Sequence, residues 1–227
     1  MGFLSELELD LLAEAFNIGL GSGSAALSEL LGEEIHVTVP SVHILPKRAA
    51  IDLCAARFDF DAHTIRQSFV DEKNAHGFSG EAFLIVSQVS SRNLASMLCG
   101  SEVSEIDVLA ELGNLLLHAC LSSLADMIET EFDSKLPEVH LHRAADLLIE
   151  ISRAQGSQAM TMTGPNEQKR RPVELQDKVL QLVVEFRSAS REIAGEVMLF
   201  LDISKLPDLK GTIGRAVHRL LFQREIN

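Results

Sequence analysis

The residues best placed to do chemistry form one pattern that occurs twice. Asp10, Glu14 and Asn17 stand four and three apart in D-L-L-A-E-A-F-N, and Asp107, Glu111 and Asn114 keep the same spacing in D-V-L-A-E-L-G-N. On a helix turning ~100° per residue, these spacings bring all three polar groups to one stripe. Pro40 follows Asn17 by 23 positions, and Pro137 follows Asn114 by the same interval. A solvated helix face needs polarity but not Glu and Asn in particular, so the return of identical types argues for a task. An asparagine amide is no useful base, yet its donor and acceptor groups can fix the orientation of a water molecule. A glutamate suits pairing with a cation on a partner. Phosphoryl transfer to water rests chiefly on positioning and charge stabilisation, so each set reads as half of an active site.

All four residues recur at a single offset of 97, a match that chance would give on the order of once in a thousand chains. The likeness continues in P-S-V-H, with Val42 and His43, and P-E-V-H, with Val139 and His140. Further on, Gly80-Glu81 and Gly195-Glu196 open similar apolar runs at an offset of 115, so the second copy holds 18 extra positions. These fall over Arg153 to Pro172, a polar stretch with Gly156 and Gly164-Pro165 and no apolar period, where an exposed, protease-sensitive loop is expected,. The expected organisation is a single domain of two repeats, about 5–100 and 102–222, with the insertion at about 153–172.

Hydrophobic period supplies the elements that hold these residues. Ser5 with Glu8 makes a capping box, and apolar residues from Leu11 to Leu31 keep a helical period up to Gly32,. Ile35, Val37 and Val39 alternate as in a strand that Pro40 ends,. A buried strand over Phe83–Val89 and a short helix over about Ser91–Leu98 follow. The second copy predicts a long helix over Val108–Glu131, strands over Lys178–Arg187 and Glu196–Leu201, and a helix over Lys205–Phe222. Two such units, each too thin to close a core, should pack about a pseudo-two-fold axis.

At these residues the chain resembles the CheC, CheX and FliY family of chemotaxis phosphatases. The family signature is Asp or Ser, three residues, Glu, two residues, Asn, 22 residues and Pro, and both copies match it. Two intact motifs place the chain nearest the CheC branch. The resemblance implies an α+β fold with a largely antiparallel sheet and two exposed long helices. It implies docking at the aspartyl-phosphate of a CheY-like response regulator, whose Mg²⁺ belongs to that partner; the chain itself would carry no cofactor. Asn17 and Asn114 would orient the attacking water, Glu14 and Glu111 would pair with the regulator's lysine, and Asp10 and Asp107 would assist docking. Pro40 and Pro137 would be structural. A CheD-like deamidase is a further partner that the resemblance raises.

Composition narrows the alternatives. A net charge of −13 disfavours nucleic acid and anionic membranes, and the short basic run Lys169, Arg170, Arg171 does not reverse it,. Three cysteines, Cys54, Cys99 and Cys120, with no C-x-x-C pair, argue against a disulfide framework or cysteine zinc site and fit the cytoplasm,. No apolar stretch is read as a bilayer span, no signal peptide is seen, and Glu6 stands where a myristoylation motif needs Ser or Thr,. Gly19, Gly21 and Gly23 match no phosphate-binding loop and are read as close helix packing,. His36, His43, His140 and His142 are read as strand surface residues, and no metal is expected,. The alternatives are a non-catalytic adaptor for a regulator or deamidase and, less favoured because no switch-binding domain is appended, a structural switch component.

Overall fold

The computed structural model describes residues 4–58, 60–71, 79–99, 104–143, 178–190 and 192–203, together with 211, 214, 215, 218 and 219. Helix α1 (Glu6–Leu31) starts where the sequence supplies a cap. The Ser5 hydroxyl accepts from the Glu8 N–H at 3.3 Å, and the Glu8 carboxylate accepts from the Ser5 N–H at 2.8 Å. The helix stops at Gly32, whose φ of 64° lies in the left-handed region open to glycine,.

The next elements are β1 (Ile35–Val37), β2 (Ser41–Pro46), α2 (Lys47–Arg57), β3 (Asp61–Val70), β4 (Ser79–Ser87) and α3 (Gln88–Cys99). A second long helix, α4 (Glu105–Ile128), starts three residues earlier than its apolar period suggests, because Ser104 caps it by accepting from the Ile106 N–H. Strands β5 (Asp133–Ser134), β6 (Glu138–Arg143), β7 (Lys178–Ser188) and β8 (Ala194–Asp202) complete the described elements.

The long helices run antiparallel. Gly23 of α1 packs on Ala119 of α4, where an added Cβ would stand 2.7 Å from the alanine methyl. Farther along, the Ser123 hydroxyl donates to the Phe16 carbonyl. Gly23 therefore lets the helices approach, as expected of the run, whereas Gly21 is exposed with nothing within 4 Å of an added Cβ.

The fold is α+β, and the described residues form eight strands in one antiparallel sheet ordered β1-β7-β8-β4-β3-β5; β2 also pairs with β7, and β6 with β3. Central strands β4 and β8 are flanked by β3 and β7, and each flank carries edge strands from the other half of the chain. The registers mirror this order. An offset of 97 carries β2 onto β6, and one of 115 carries Gly80 onto Gly195. In the central ladder Gly80 faces Leu201, Gly195 faces Val86, and Phe83 faces its own image Met198. An axis through that last pair is the geometry a duplicated chain would adopt.

Both sheet faces are buried. Ala82, Leu84 and Val86 join α1, α3 and α4 in the main core, whereas Phe83, Ile85 and Met198 lie on the opposite face with Cys54 and Phe58 at α2. Phe16 and Leu109 are fully enclosed, which for such side chains stabilises the fold by about 1.5–3 kcal/mol each,.

Several expectations change. Helix α2 and strand β3 were not legible, the first strand ends at Val37, and Pro40 sits buried in the break before β2. Helix α4 also satisfies the length and composition of a membrane span over Glu105–Asp126, contrary to the reading of no such stretch. That window is 61% buried within the fold, as a core helix would be. The expected loop at Arg153–Pro172 and the run Lys169–Arg171 lie outside the described residues. Of the helix expected over Lys205–Phe222, the five described residues are helical.

Candidate functional site

The two polar stripes stand apart from the core faces of their helices. On α1, Leu12, Ala13, Phe16 and Leu20 are buried, while Asp10 is exposed and Glu14 and Asn17 are half-buried. On α4, Val108, Leu109, Leu112 and Leu116 are buried, while Asp107, Glu111 and Asn114 are all exposed. Because the helices are antiparallel, the two sets lie on opposite sides of the Gly23–Ala119 crossing. The structure brings the members of each set together and keeps the sets separate. Neither asparagine is enclosed in the core.

The sets are seated differently. Position 16, before Asn17, is phenylalanine inserted fully into the core; position 113, before Asn114, is glycine. A Cβ at Gly113 would meet Ile65 Cγ2 at 2.5 Å, so α4 rests directly on β3 one residue from Asn114. The start of α4 is anchored as well. The buried Ser91 hydroxyl of α3 donates to the Glu105 carboxylate and accepts from His63 Nδ1 of β3 at 2.9 Å. Serine lies between histidine and acid here, unlike a nucleophilic triad, in which the histidine lies between. The trio ties three elements two residues before Asp107. Glycine at 113 was the sequence signal for this seat; nothing in the sequence pointed to Ser91 or His63.

Between the helices lies an open groove of about 450 Å³, lined by Ala26, Glu29, Leu30, Glu111 and Leu115. Glu111 thus shares its surroundings with three residues of α1 that the repeat pattern did not single out.

Other features shared by the two copies hold the sheet. Phe69 covers Gly80 and Phe186 covers Gly195, each ring about where a Cβ would be, at 2.4 and 2.5 Å. Glu81 receives Arg66 at 2.9 and 3.0 Å and Ser68 at 3.0 Å, and Glu196 pairs with Arg57 at 2.9 Å. Burial holds Glu196 above the ordinary carboxylate range against the pull of Arg57. Pro40 is buried and Pro137 half-buried, neither with a group for catalysis. His36 and His43 are exposed and His140 is half-buried, and among the described residues no three His, Cys, Asp or Glu side chains gather as metal ligands. Cys54 and Cys120 are buried free thiols.

No protein-family model matches this sequence. Over 147 residues it is 29% identical to the flagellar motor switch phosphatase FliY of Bacillus subtilis, covering 61% of this chain and 36% of that protein. Over 148 residues it is 25% identical to the CheY-P phosphatase CheC of the same organism, covering 61% of this chain and 68% of that protein. The chain is therefore similar in sequence to the FliY and CheC members of the CheC, CheX and FliY family. The match thus spans about a third of the FliY relative and two thirds of CheC. The fold is shared with Thermotoga maritima FliY, at a TM-score of 0.58 and 17% identity over 96% of this chain and 99% of that one. It is also shared with the FliM middle domain of Helicobacter pylori, at a TM-score of 0.55 and 10% identity over 93% and 99%.

Proposed function

We propose that this chain is a duplicated phosphatase that hydrolyses the aspartyl-phosphate of a CheY-like response regulator, using two separate centres. The observation that carries the reading is the Asp, Glu and Asn set displayed twice at water-accessible positions on paired helices, in a family whose Bacillus subtilis members include a CheY-P phosphatase. Asn17 and Asn114 orient a water in line with the phosphorus. The water oxygen bonds to phosphorus, the bond from phosphorus to the regulator's aspartate oxygen breaks and leaves a free carboxylate, and inorganic phosphate departs carrying one of the water's hydrogens while the other passes to solvent. Glu14 and Glu111 pair with the regulator's lysine, and Asp10 and Asp107 support docking. Mg²⁺ is supplied on the regulator, and the setting is cytoplasmic. The symmetric strand registers support the duplication.

The test follows phosphate release from a CheY-type regulator phosphorylated with acetyl phosphate in the presence of Mg²⁺. Asn17→Ala and Asn114→Ala should each lower one centre's turnover on the order of 10²-fold, and the double variant should keep about a hundredth of wild-type turnover yet still bind. Glu14→Ala and Glu111→Ala should chiefly raise KM. A double Asn variant with wild-type turnover would refute the chemistry. Binding by the wild-type chain without faster phosphate loss would make it an adaptor for the regulator or for a CheD-like deamidase.

A further inference from the structure

We propose that Glu29 and Leu30 of α1 complete the centre carried by Glu111 and Asn114 on α4, forming with Ala26 and Leu115 a groove for a lysine side chain of the docked regulator. The inference rests on the phosphatase reading and adds residues from the opposite helix. Leu30 is 44% exposed, a large apolar side chain at an open groove, and Leu115 beside it is half-buried. Glu29 and Glu111, both exposed, contribute carboxylates from different helices to the same groove.

This lining selects its occupant by charge and shape. A phosphoryl group would meet two carboxylates and be repelled. A wholly apolar side chain would strip water from both carboxylates without replacing its hydrogen bonds. A lysine lays its hydrocarbon stem along the leucines and offers its ammonium to the carboxylates.

The first centre is furnished differently. An offset of 97 carries Ala26 and Glu29 onto Ser123 and Asp126. Ser123 is buried with its hydroxyl committed to the Phe16 carbonyl, and aspartate reaches one methylene less far than glutamate. Glu29 therefore serves the Asn114 centre and leaves the Asn17 centre untouched.

The test isolates each centre. An Asn17→Ala background leaves the Asn114 centre, and an Asn114→Ala background leaves the other. With a CheY-type regulator phosphorylated by acetyl phosphate, Glu29→Gln in the first background should raise KM about two- to fivefold with kcat unchanged, as loss of an exposed ion pair would. The effect should shrink with added salt, and Glu29→Asp should restore part of it. Leu30→Ser should raise KM independently of salt. Neither substitution should alter KM in the Asn114→Ala background, and both positions are exposed enough to leave the melting temperature unchanged. An equal effect in both backgrounds, or none in either, overturns the groove while turnover in those backgrounds still upholds the phosphatase reading. If neither background turns over, that reading fails; a Kd for beryllofluoride-activated regulator unchanged by Glu29→Gln then overturns the groove independently.

Discussion

Gly113→Ala tests how tightly the second centre is seated. The new methyl carbon would stand 2.5 Å from Ile65 Cγ2, 3.1 Å from its Cβ and 3.3 Å from its Cγ1. Ordinary carbon contacts lie at about 3.5–4.0 Å, so roughly 1 Å must be found. Ile65 is fully buried on a strand paired on both sides, with Leu84 and with Val139, so α4 has to yield. Overpacking of this kind costs about 1–3 kcal/mol, and the better helix propensity of alanine offsets about 1 kcal/mol. The expected net loss is about 0–2 kcal/mol by urea unfolding. A double variant sharpens it. Ile65→Ala alone should cost about 2–5 kcal/mol, but with Gly113→Ala it also removes the clash, so the pair should be more stable than the sum by about 1–3 kcal/mol. Asn114 adjoins the displaced residue. In an Asn17→Ala background, turnover should fall on the order of 10²-fold, the penalty for an ångström of misplacement. A Gly113→Ala chain more stable than wild type, with additive double-variant energies, would show that α4 does not rest on Ile65; stability lost with turnover intact would show that the position of Asn114 is immaterial.

Three further outcomes are expected. Gly21→Ala, with nothing within 4 Å of the new carbon, should stabilise α1 by up to about 1 kcal/mol, whereas Gly23→Ala, meeting Ala119 at 2.7 Å, should destabilise unless Ala119→Gly accompanies it,; urea titration separates the cases. Residues 1–100 alone should show no cooperative unfolding by circular dichroism, because β7, the partner of β1 and β2, is absent,. Burial pushes the Cys54 thiol up to about 11 and the Cys120 thiol higher still, so at pH 8 both are protonated and enclosed; a thiol reagent should leave them unlabelled in the native protein and react after denaturation.

The long helices were legible because their signals are local. Ser5 and Glu8 mark one start, Gly32 marks its end, and the apolar period between is unbroken. Strand β3 concealed itself by breaking alternation: His63, Thr64 and Gln67 are buried among apolar neighbours, with His63 bonded to Ser91 and Gln67 to the Lys135 carbonyl. Those partners lie 28 and 68 positions away, and no window along the chain reveals them. Helix α2 begins after Pro46 with no side-chain cap, so it lacked a start signal. Glu29 and Leu30 escaped notice for a different reason. Their surroundings come from Glu111 and Leu115, and only the antiparallel approach of α1 and α4 puts them beside a signature residue.

The same crossing pattern bears on why two signatures share one chain. Glu111 and Asn114 belong to the C-terminal half, yet α4 stands on Ile65 of β3 and its first turn is held by Ser91 and His63, all from the N-terminal half. Phe16, next to Asn17, receives its hydrogen bond from Ser123 of the C-terminal half. The edge strands are exchanged in the same sense, β2 onto β7 and β6 onto β3. Each half therefore carries a signature whose seat is built by the other. Under the proposed function, a chain with a single working centre is the expected result of replacing Glu and Asn in one copy, since none of those side chains is enclosed in the core. Deleting half of the chain removes the seat of the motif that remains.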